Sequence, residues 1–507
     1  MTKLLSIKKF ICSIARKFRS SRQFDDNELP TINRQQRLRI ASWSMYLYIF
    51  SALFSAMSMG TVIGWSSTAL YSMKMNDSVP RIQPDHPIDI NYMTWMGSCM
   101  TLGALSGSLF SGMIGYNNIV INNAKNIYFL GVIIDHFGRR IILITLAIPF
   151  TIGWLIISFA QSFLTIIFGR IITGICVGII GSTVPGYVAN IVTPDRRGFF
   201  GTCFQLLCSI GALFAACFGT IFSWNRLSLI SITPVIISSI GMYFAPESPI
   251  HLIQRDQSKA ALKSLERLRS NKSDIGAELI ELENRVQSKE KSSLKTLFKR
   301  PDVYYPLNIS VMLQFFQQFS GINAIMFYLV SIFNDSGSNI DPQLASIVVN
   351  LALFISCLFS GLFMDCFGRR LWLFISGAGM FLTMLMMSLH YHYNSYDKTS
   401  STPLICLIIF SISFACGYGS IPWMIVSEIT PPEVTGIVGS FSVATNWLSA
   451  FIITKEFEDL IYLLGKEGVY LLFALFSLIS ILFVMFFVPE TKRKTLEDLQ
   501  RHFLNKY

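Results

Sequence analysis

Apolar runs of about 20 residues, separated by short polar breaks, recur along the whole chain, and each is long enough to cross a hydrocarbon core about 30 Å thick as a helix. Six lie at 44–64, 95–112, 141–160, 163–188, 201–222 and 227–244. Six more follow a polar stretch, at 304–333, 344–367, 371–390, 403–426, 434–453 and 468–488. The pattern predicts an all-α membrane protein with about twelve transmembrane helices in two halves. One charged phrase marks both halves: DHFGRR at 135–140 and DCFGRR at 365–370. Strong charges are costly near lipid, so two copies at matching places indicate one device used twice.

These runs divide the chain into an N-terminal tail (1–43), a first six-helix bundle (44–245), a linker (246–303), a second bundle (304–489) and a C-terminal tail (490–507). In the linker, SKAALKSLERL from Ser258 spaces Leu262, Leu265 and Leu268 as one face of an amphipathic helix, and 277–286 reads as another. One stretch breaks the symmetry. LFSG, ending at Gly112, is separated from VIIDHFGRR, starting at Val132, by MIGYNNIVINNAKNIYFLG, whereas the second half runs LFSGLFMDCFGRR without interruption. The extra residues at 113–131 are mostly those of AT-rich codons, the composition of a short retained intron. We expect the working protein to lack them.

Composition supports the membrane reading. Hydrophobic residues make up 52% of the chain and charged residues 14%, against roughly 25% charged in soluble domains. The net charge of +11 is a topology signal rather than a nucleic-acid footprint. Lys3, Lys8, Lys9, Arg16, Lys17, Arg19 and Arg22 crowd the first tail, and further basic residues follow every second span, at Arg139–Arg140, Arg196–Arg197, the linker, Arg369–Arg370 and Lys492–Lys494. The positive-inside rule then puts both termini and the linker in the cytoplasm, as expected of a multi-pass plasma-membrane protein. No cleavable signal precedes the first run. Cys176, Cys203, Cys208, Cys217 and Cys416 lie inside spans without CxxC spacing, which suits buried small hydrophobes, not disulfides or metal. Sequons at Asn76 and Asn334 fall in outer loops and are candidate glycosylation sites.

The candidate chemistry is uncharged. Gln205, Gln317, Gln318, Asn323, Asn350 and Asn446 carry amides at lipid depth, where such groups need a partner or a water-filled cavity. A sugar offers hydroxyls that donate and accept, and an amide answers both without a charge to desolvate. Gln314, Gln317 and Gln318 share a helical face, and Ser320-Gly321 is a place to unwind and re-aim Asn323. Trp423 lies deep in its span, where an interfacial anchor would not, whereas Trp447 reads as helix packing. No nucleotide-binding loop, HExxH or nucleophile elbow is present, which argues against a pump or a membrane enzyme. No cofactor, metal or nucleic-acid partner is expected, and the chain reads as a monomer in the bilayer.

The paired phrases, PESP at 246–249, PETK at 489–492, QQFSGINAIMFY at 317–328, GR…VP across 169–185 and GSIPW at 419–423 resemble the sugar porter family of the major facilitator superfamily. GTVIGWSSTAL at 60–70 is similar to the insect facilitated trehalose and glucose transporters within it. The resemblance implies two pseudo-symmetric six-helix bundles rocking around a central sugar site touched by Gln205, Gln317, Gln318, Asn323, Asn350, Trp423 and Asn446. It also implies a latch closing the cytoplasmic side, built from Asp135, Gly138, Arg139, Arg140, Arg170, Arg197, Glu247, Asp365, Gly368, Arg369, Arg370, Glu428 and Glu490. Two departures stand out: Asn190 replaces the family's Glu and Thr435 its Arg, so the closed cytoplasmic gate should be weakened and inward-open favoured. Thr61, Val62 and Ile63 occupy the region where proton-coupled members place an Asp, and Ala415 stands where many hexose carriers have an acid. The expected activity is therefore facilitative uniport of trehalose or a hexose such as glucose. A non-transporting sugar receptor and a proton-coupled symporter are the alternatives, and a nonfunctional copy is a third reading of the insertion and lost charges.

Overall fold

The computed structural model describes residues 42–74, 90–120, 131–193, 197–270, 274–287, 300–336, 340–393, 401–431, 434–492, 494 and 496–506. Asn76 lies outside them, and so do the side chains of Asp135, Arg197 and Asp365, which the backbone places on helices.

The first half comprises α1 (Trp43–Lys74), α2 (Ile90–Val120), α3 (Gly131–Thr145), α4 (Ala147–Ser158), α5 (Phe163–Ile191), α6 (Arg197–Ile221), α7 (Trp224–Ile230) and α8 (Thr233–Phe244). The linker forms α9 (Pro249–Gln254), α10 (Ser258–Leu268) and α11 (Ile275–Gln287). The second half comprises α12 (Pro301–Phe319), α13 (Ile322–Ser336), α14 (Pro342–Phe367), α15 (Arg369–Tyr393), α16 (Thr402–Cys416), α17 (Ile421–Ile429) and α18 (Thr435–Phe487), followed by α19 (Leu496–Lys506).

Ten segments among the described residues are long and apolar enough to span a bilayer. One of them, α18, passes twice. Phe457 and Phe473 stack with centroids 6.4 Å apart, whereas sixteen residues of straight helix would separate them by about 24 Å. The chain turns back at Gly465, whose φ is 72°. With that second pass and α2, whose run at 95–112 meets the same length criterion, the described spans reach the twelve expected from the periodicity, six on each side of the linker.

Small residues set how closely these helices cross. A Cβ added at Gly174 or Gly178 of α5 would lie 2.1 or 2.0 Å from the carbonyl oxygens of Met100 or Ala104 on α2, the close backbone approach that membrane helices use in place of a hydrophobic drive. The linker is docked on the first half. Arg269, at the end of α10, forms a bidentate pair with Glu278 of α11 at 3.0 and 2.8 Å, and both side chains are almost fully buried. Its remaining nitrogen donates to Ile191 O at 2.9 Å, satisfying a carbonyl at the C-terminus of α5 that has no partner within the helix.

The two GRR turns are structural twins. Gly138 and Gly368 have φ of 84° and 97°, which L side chains rarely adopt. A Cβ there would come within 2.4 Å of Glu247 Oε2 and 2.5 Å of Glu490 Oε2, respectively. These carboxylates instead accept from the backbone N–H of Arg140 at 3.1 Å and of Arg369 at 3.0 Å. Gly368→Ala is therefore expected to lower stability by about 1–3 kcal/mol, read as an earlier thermal unfolding transition in detergent. An unchanged transition would mean the turn is not strained.

Candidate substrate cavity

The chain breaks twice within its spans, and residues flanking both breaks line the same space. The first is at Ser320-Gly321, between α12 and α13, where Gly321 takes φ of 91° and a Cβ would meet the Phe473 ring at 2.4 Å. The second spans 417–420, between α16 and α17. Broken helices at lipid depth are tolerated where the freed backbone groups are buried in protein or line a cavity. Here a narrow cavity, with about 60 Å³ open to the centre of a water-sized sphere, lies between the two halves. From the first half, Met59 and Ile63 of α1 and Gln205, Cys208, Ser209 and Ala212 of α6 line it. The second half supplies Gln317, Gln318, Asn323, Trp423, Asn446 and Trp447 together with Ile322, Met326, Leu353 and Phe414.

Six of the seven substrate-contact residues expected from the sequence thus share one wall or another of the cavity. Asn350 does not line it. Its amide nitrogen donates to Ser346 O one turn back, at 2.9 Å, and its buried Oδ1 has no partner among the described residues.

The amides divide into tied and open groups. Asn446 is the centre of the tied set: Nδ2 donates to Gln314 Oε1 at 2.7 Å and to Gln317 Oε1 at 2.6 Å, while Oδ1 accepts from Gln318 Nε2 at 3.1 Å. Gln314 donates onward to Pro422 O at 3.2 Å and Gln317 to Tyr418 O at 2.6 Å, both at the second break. Gln318 Oε1 and Trp447 Nε1 are buried without a hydrogen-bond partner among the described residues, and no described hydrogen bond occupies the Gln205 or Asn323 side chain. An unmet buried acceptor or donor costs about 1–3 kcal/mol. Sequence reasoning placed Gln314 on the right helical face without assigning it a role, and assigned Trp447 to helix packing. The structure puts Gln314 in the network and Trp447 on the cavity wall, and nothing in the helical period distinguishes those outcomes.

The halves touch on both sides of the cavity. Towards the face carrying Gly138 and Gly368, Trp423 packs on Phe204 at 5.7 Å and Met424 faces Gly201. Towards the other face, Val330 N–H donates to Ser67 Oγ at 3.2 Å, and Trp95 meets Phe451 at 6.2 Å and Lys455 Nζ at 5.6 Å from its ring centre.

The residues expected to latch the halves together do something else in this structure. Arg140 donates to Met242 O at 3.1 Å and Arg370 to the twin carbonyl of Met485. Arg369 pairs with Glu428 at 2.9 Å, and Thr491 donates to the other oxygen of that carboxylate at 2.5 Å. Each of these contacts stays within one half, so none is broken by the halves separating. The described contacts brace neighbouring helix ends within each half. Arg170 departs further from the expected latch. It lies 16 residues, about 24 Å of helix, before Gly186, the α5 residue over which Arg139 lies. There it donates to Val62 O at 3.0 Å, Met96 O at 3.3 Å and Ser66 Oγ at 2.6 Å, beside the Trp65 ring. Burial pushes the Glu247 carboxyl above its usual range, opposed by the N–H donors of Ser248 and Arg140 and by the Arg139 charge. Asn334 sits in the last turn of α13, followed by Asp335, which pairs with Lys466 at 3.7 Å.

Asn190 occupies the place in the first half that Glu428 holds in the second, by the matching spacing of VANIVTP and VSEITPP. Its amide donates to Ser248 Oγ at 3.1 Å. Arg139 lies over Gly186, one turn earlier on α5. Asn190→Glu is expected to give the first half the ion pair that the second already has, adding about 1 kcal/mol of stability. A raised melting point with unchanged cysteine accessibility at the two mouths is the expected result. A shift in accessibility would restore the cross-half latch.

Comparison with known proteins gives a consistent picture. The family profile described as "Sugar (and other) transporter" matches residues 126–503, beginning inside the segment that interrupts the first half. The chain is 32% identical over 483 residues to the facilitated trehalose transporter Tret1 of Bombyx mori, covering 94% of this chain and 90% of that one. It is 34% identical to the protein of the same name from Apis mellifera ligustica, covering 94% and 92%. Among solved structures, the proton:xylose symporter XylE bound to 6-bromo-6-deoxy-D-glucose superposes with a TM-score of 0.73 at 23% identity, over 90% of this chain and 99% of that one. That likeness is one of fold.

Proposed function

Because the chain belongs to the sugar transporter family of the major facilitator superfamily, we propose that it carries trehalose or a hexose such as glucose down its gradient by alternating access. The observation that carries this reading is the cavity itself, which lies between the halves, is lined by amides and two tryptophans, and has no acidic residue in its lining among the described residues. Proton coupling through a membrane carboxylate would need such a group near the site. The partners of Arg170 on α1 are a carbonyl and a hydroxyl. The names of the silkworm and honeybee relatives favour trehalose. Gln318 Oε1, Gln205, Asn323 and Trp447 Nε1 supply open acceptors and donors for sugar hydroxyls, and Trp423 closes the floor of the cavity. Contact layers on both sides of the cavity fit a site occluded between openings.

In the same reading the protein works as a monomer in the plasma membrane, with its termini and linker in the cytoplasm, on the side of the GRR turns. Residues 113–131 lie outside the working design. Joining residues 90–112 to 132–137 would give one uninterrupted helix of about 29 residues ending at Gly138, the arrangement α14 has before Gly368.

The test is uptake of labelled trehalose and of glucose by the purified protein in liposomes. Saturable entry that equilibrates, with and without an inward proton gradient, is the expected result. Accumulation above equilibrium on acidification outside would replace uniport with symport. Binding without any entry would make the protein a receptor.

A further inference from the structure

The carbonyl of Tyr418 links the cavity to one of its walls. In a helix each carbonyl accepts from the N–H four residues on. Around the second break this ladder is kept in part: Ile421 N–H reaches Gly417 O at 3.0 Å and Met424 N–H reaches Ser420 O at 3.3 Å. The residue four beyond Tyr418 is Pro422, which has no N–H to give. The Tyr418 carbonyl is therefore orphaned by covalent structure, on a fully buried residue at lipid depth. Gln317 Nε2 meets it at 2.6 Å, just under the usual range for such bonds. The other end of the same side chain accepts from Asn446. A cavity-lining amide thus closes the ladder of the helix whose Trp423 and Met424 pack on Phe204 and Gly201 of the opposite half.

We propose that Gln317 is a positioning residue that pins the first turn of α17, and that a sugar hydroxyl taking the one Nε2 hydrogen now given to Tyr418 O, rather than the second, free hydrogen, withdraws the pin. Occupancy then loosens the one turn whose side chains close the cavity towards the GRR face. The second clause rests on the cavity being the sugar site; the first does not.

The pin is tested without sugar by a double-mutant cycle on thermal unfolding. Gln317→Leu should lower the melting temperature clearly in the native background. In a Pro422→Ala background it should lower it much less, because the alanine backbone supplies the missing N–H to Tyr418 O. Equal losses in both backgrounds would overturn the pin. The coupling is tested by turnover: Pro422→Ala should bind labelled trehalose within a few-fold of the native chain yet carry it about tenfold more slowly. Undiminished turnover would overturn the coupling. Should Pro422→Ala fail to fold, hydrogen exchange on the native chain serves instead. Saturating trehalose should speed exchange at Trp423 and Met424, and slower or unchanged exchange there would sink the proposal. Failure of the native chain to bind any sugar would strike the transport reading while the stability cycle still decides the pin.

Discussion

Asn446→Leu is expected to reduce sugar uptake by about 100-fold or more while leaving the protein folded. Leucine keeps the branched outline, is somewhat larger, and removes every polar side-chain atom. Gln314 Oε1, Gln317 Oε1 and Gln318 Nε2 then each lose a partner in a buried setting. Each unmet group costs about 1–3 kcal/mol, and about 1.4 kcal/mol is a factor of ten. The loss should appear in both KM and turnover, because the same network orients open atoms on Gln318 and holds the Gln317 amide at the second break. Monodisperse protein with near-native uptake would show that the tied amides are scaffold only.

Removal of residues 113–131 is expected to raise uptake several-fold rather than abolish it. Deleting nineteen residues from within a membrane helix and its following turn would ordinarily wreck a bundle. Here the deletion joins two segments whose counterparts in the second half are already continuous, as α14 running directly into Gly368 shows. The α2 helix continues through the beginning of the segment to Val120 and is then 31 residues long, about 46 Å, well beyond a hydrocarbon core of about 30 Å. Uptake per molecule at the membrane, compared between the full and shortened chains, decides the matter. Loss of surface expression and activity on deletion would make the segment a genuine part of the protein, as would its presence in the mature transcript.

Much of the machinery is legible in the order of residues alone. The twelve spans follow from run length, because an apolar stretch of that length has no other stable home than a membrane helix. Gly138 and Gly368 are marked by their repeated phrase, and the break at Ser320-Gly321 by a glycine following an amide-rich helical face. Six of the seven expected contact residues converge on the cavity because a polar side chain at lipid depth must find a partner or a void, and a cavity between two halves offers both.

What the sequence by itself determined is therefore the membrane-spanning class, the two-fold repeat, the linker helices and most of the uncharged polar residues that line a cavity between the halves. Only the tertiary structure decided which amides are spent on the backbone and which stay open, that Arg170 serves α1 and α2 far from the GRR turns, that Arg369 and Glu428 brace one half rather than clasp two, and that Asn350 stands off the cavity. The reason is the same in each case. Periodicity reports which face of a helix is polar, whereas a hydrogen bond depends on what a second helix, far away along the chain, presents at that height. Pro422 shows the boundary well: the sequence announces a missing N–H, and only the packed fold reveals that Gln317 answers for it.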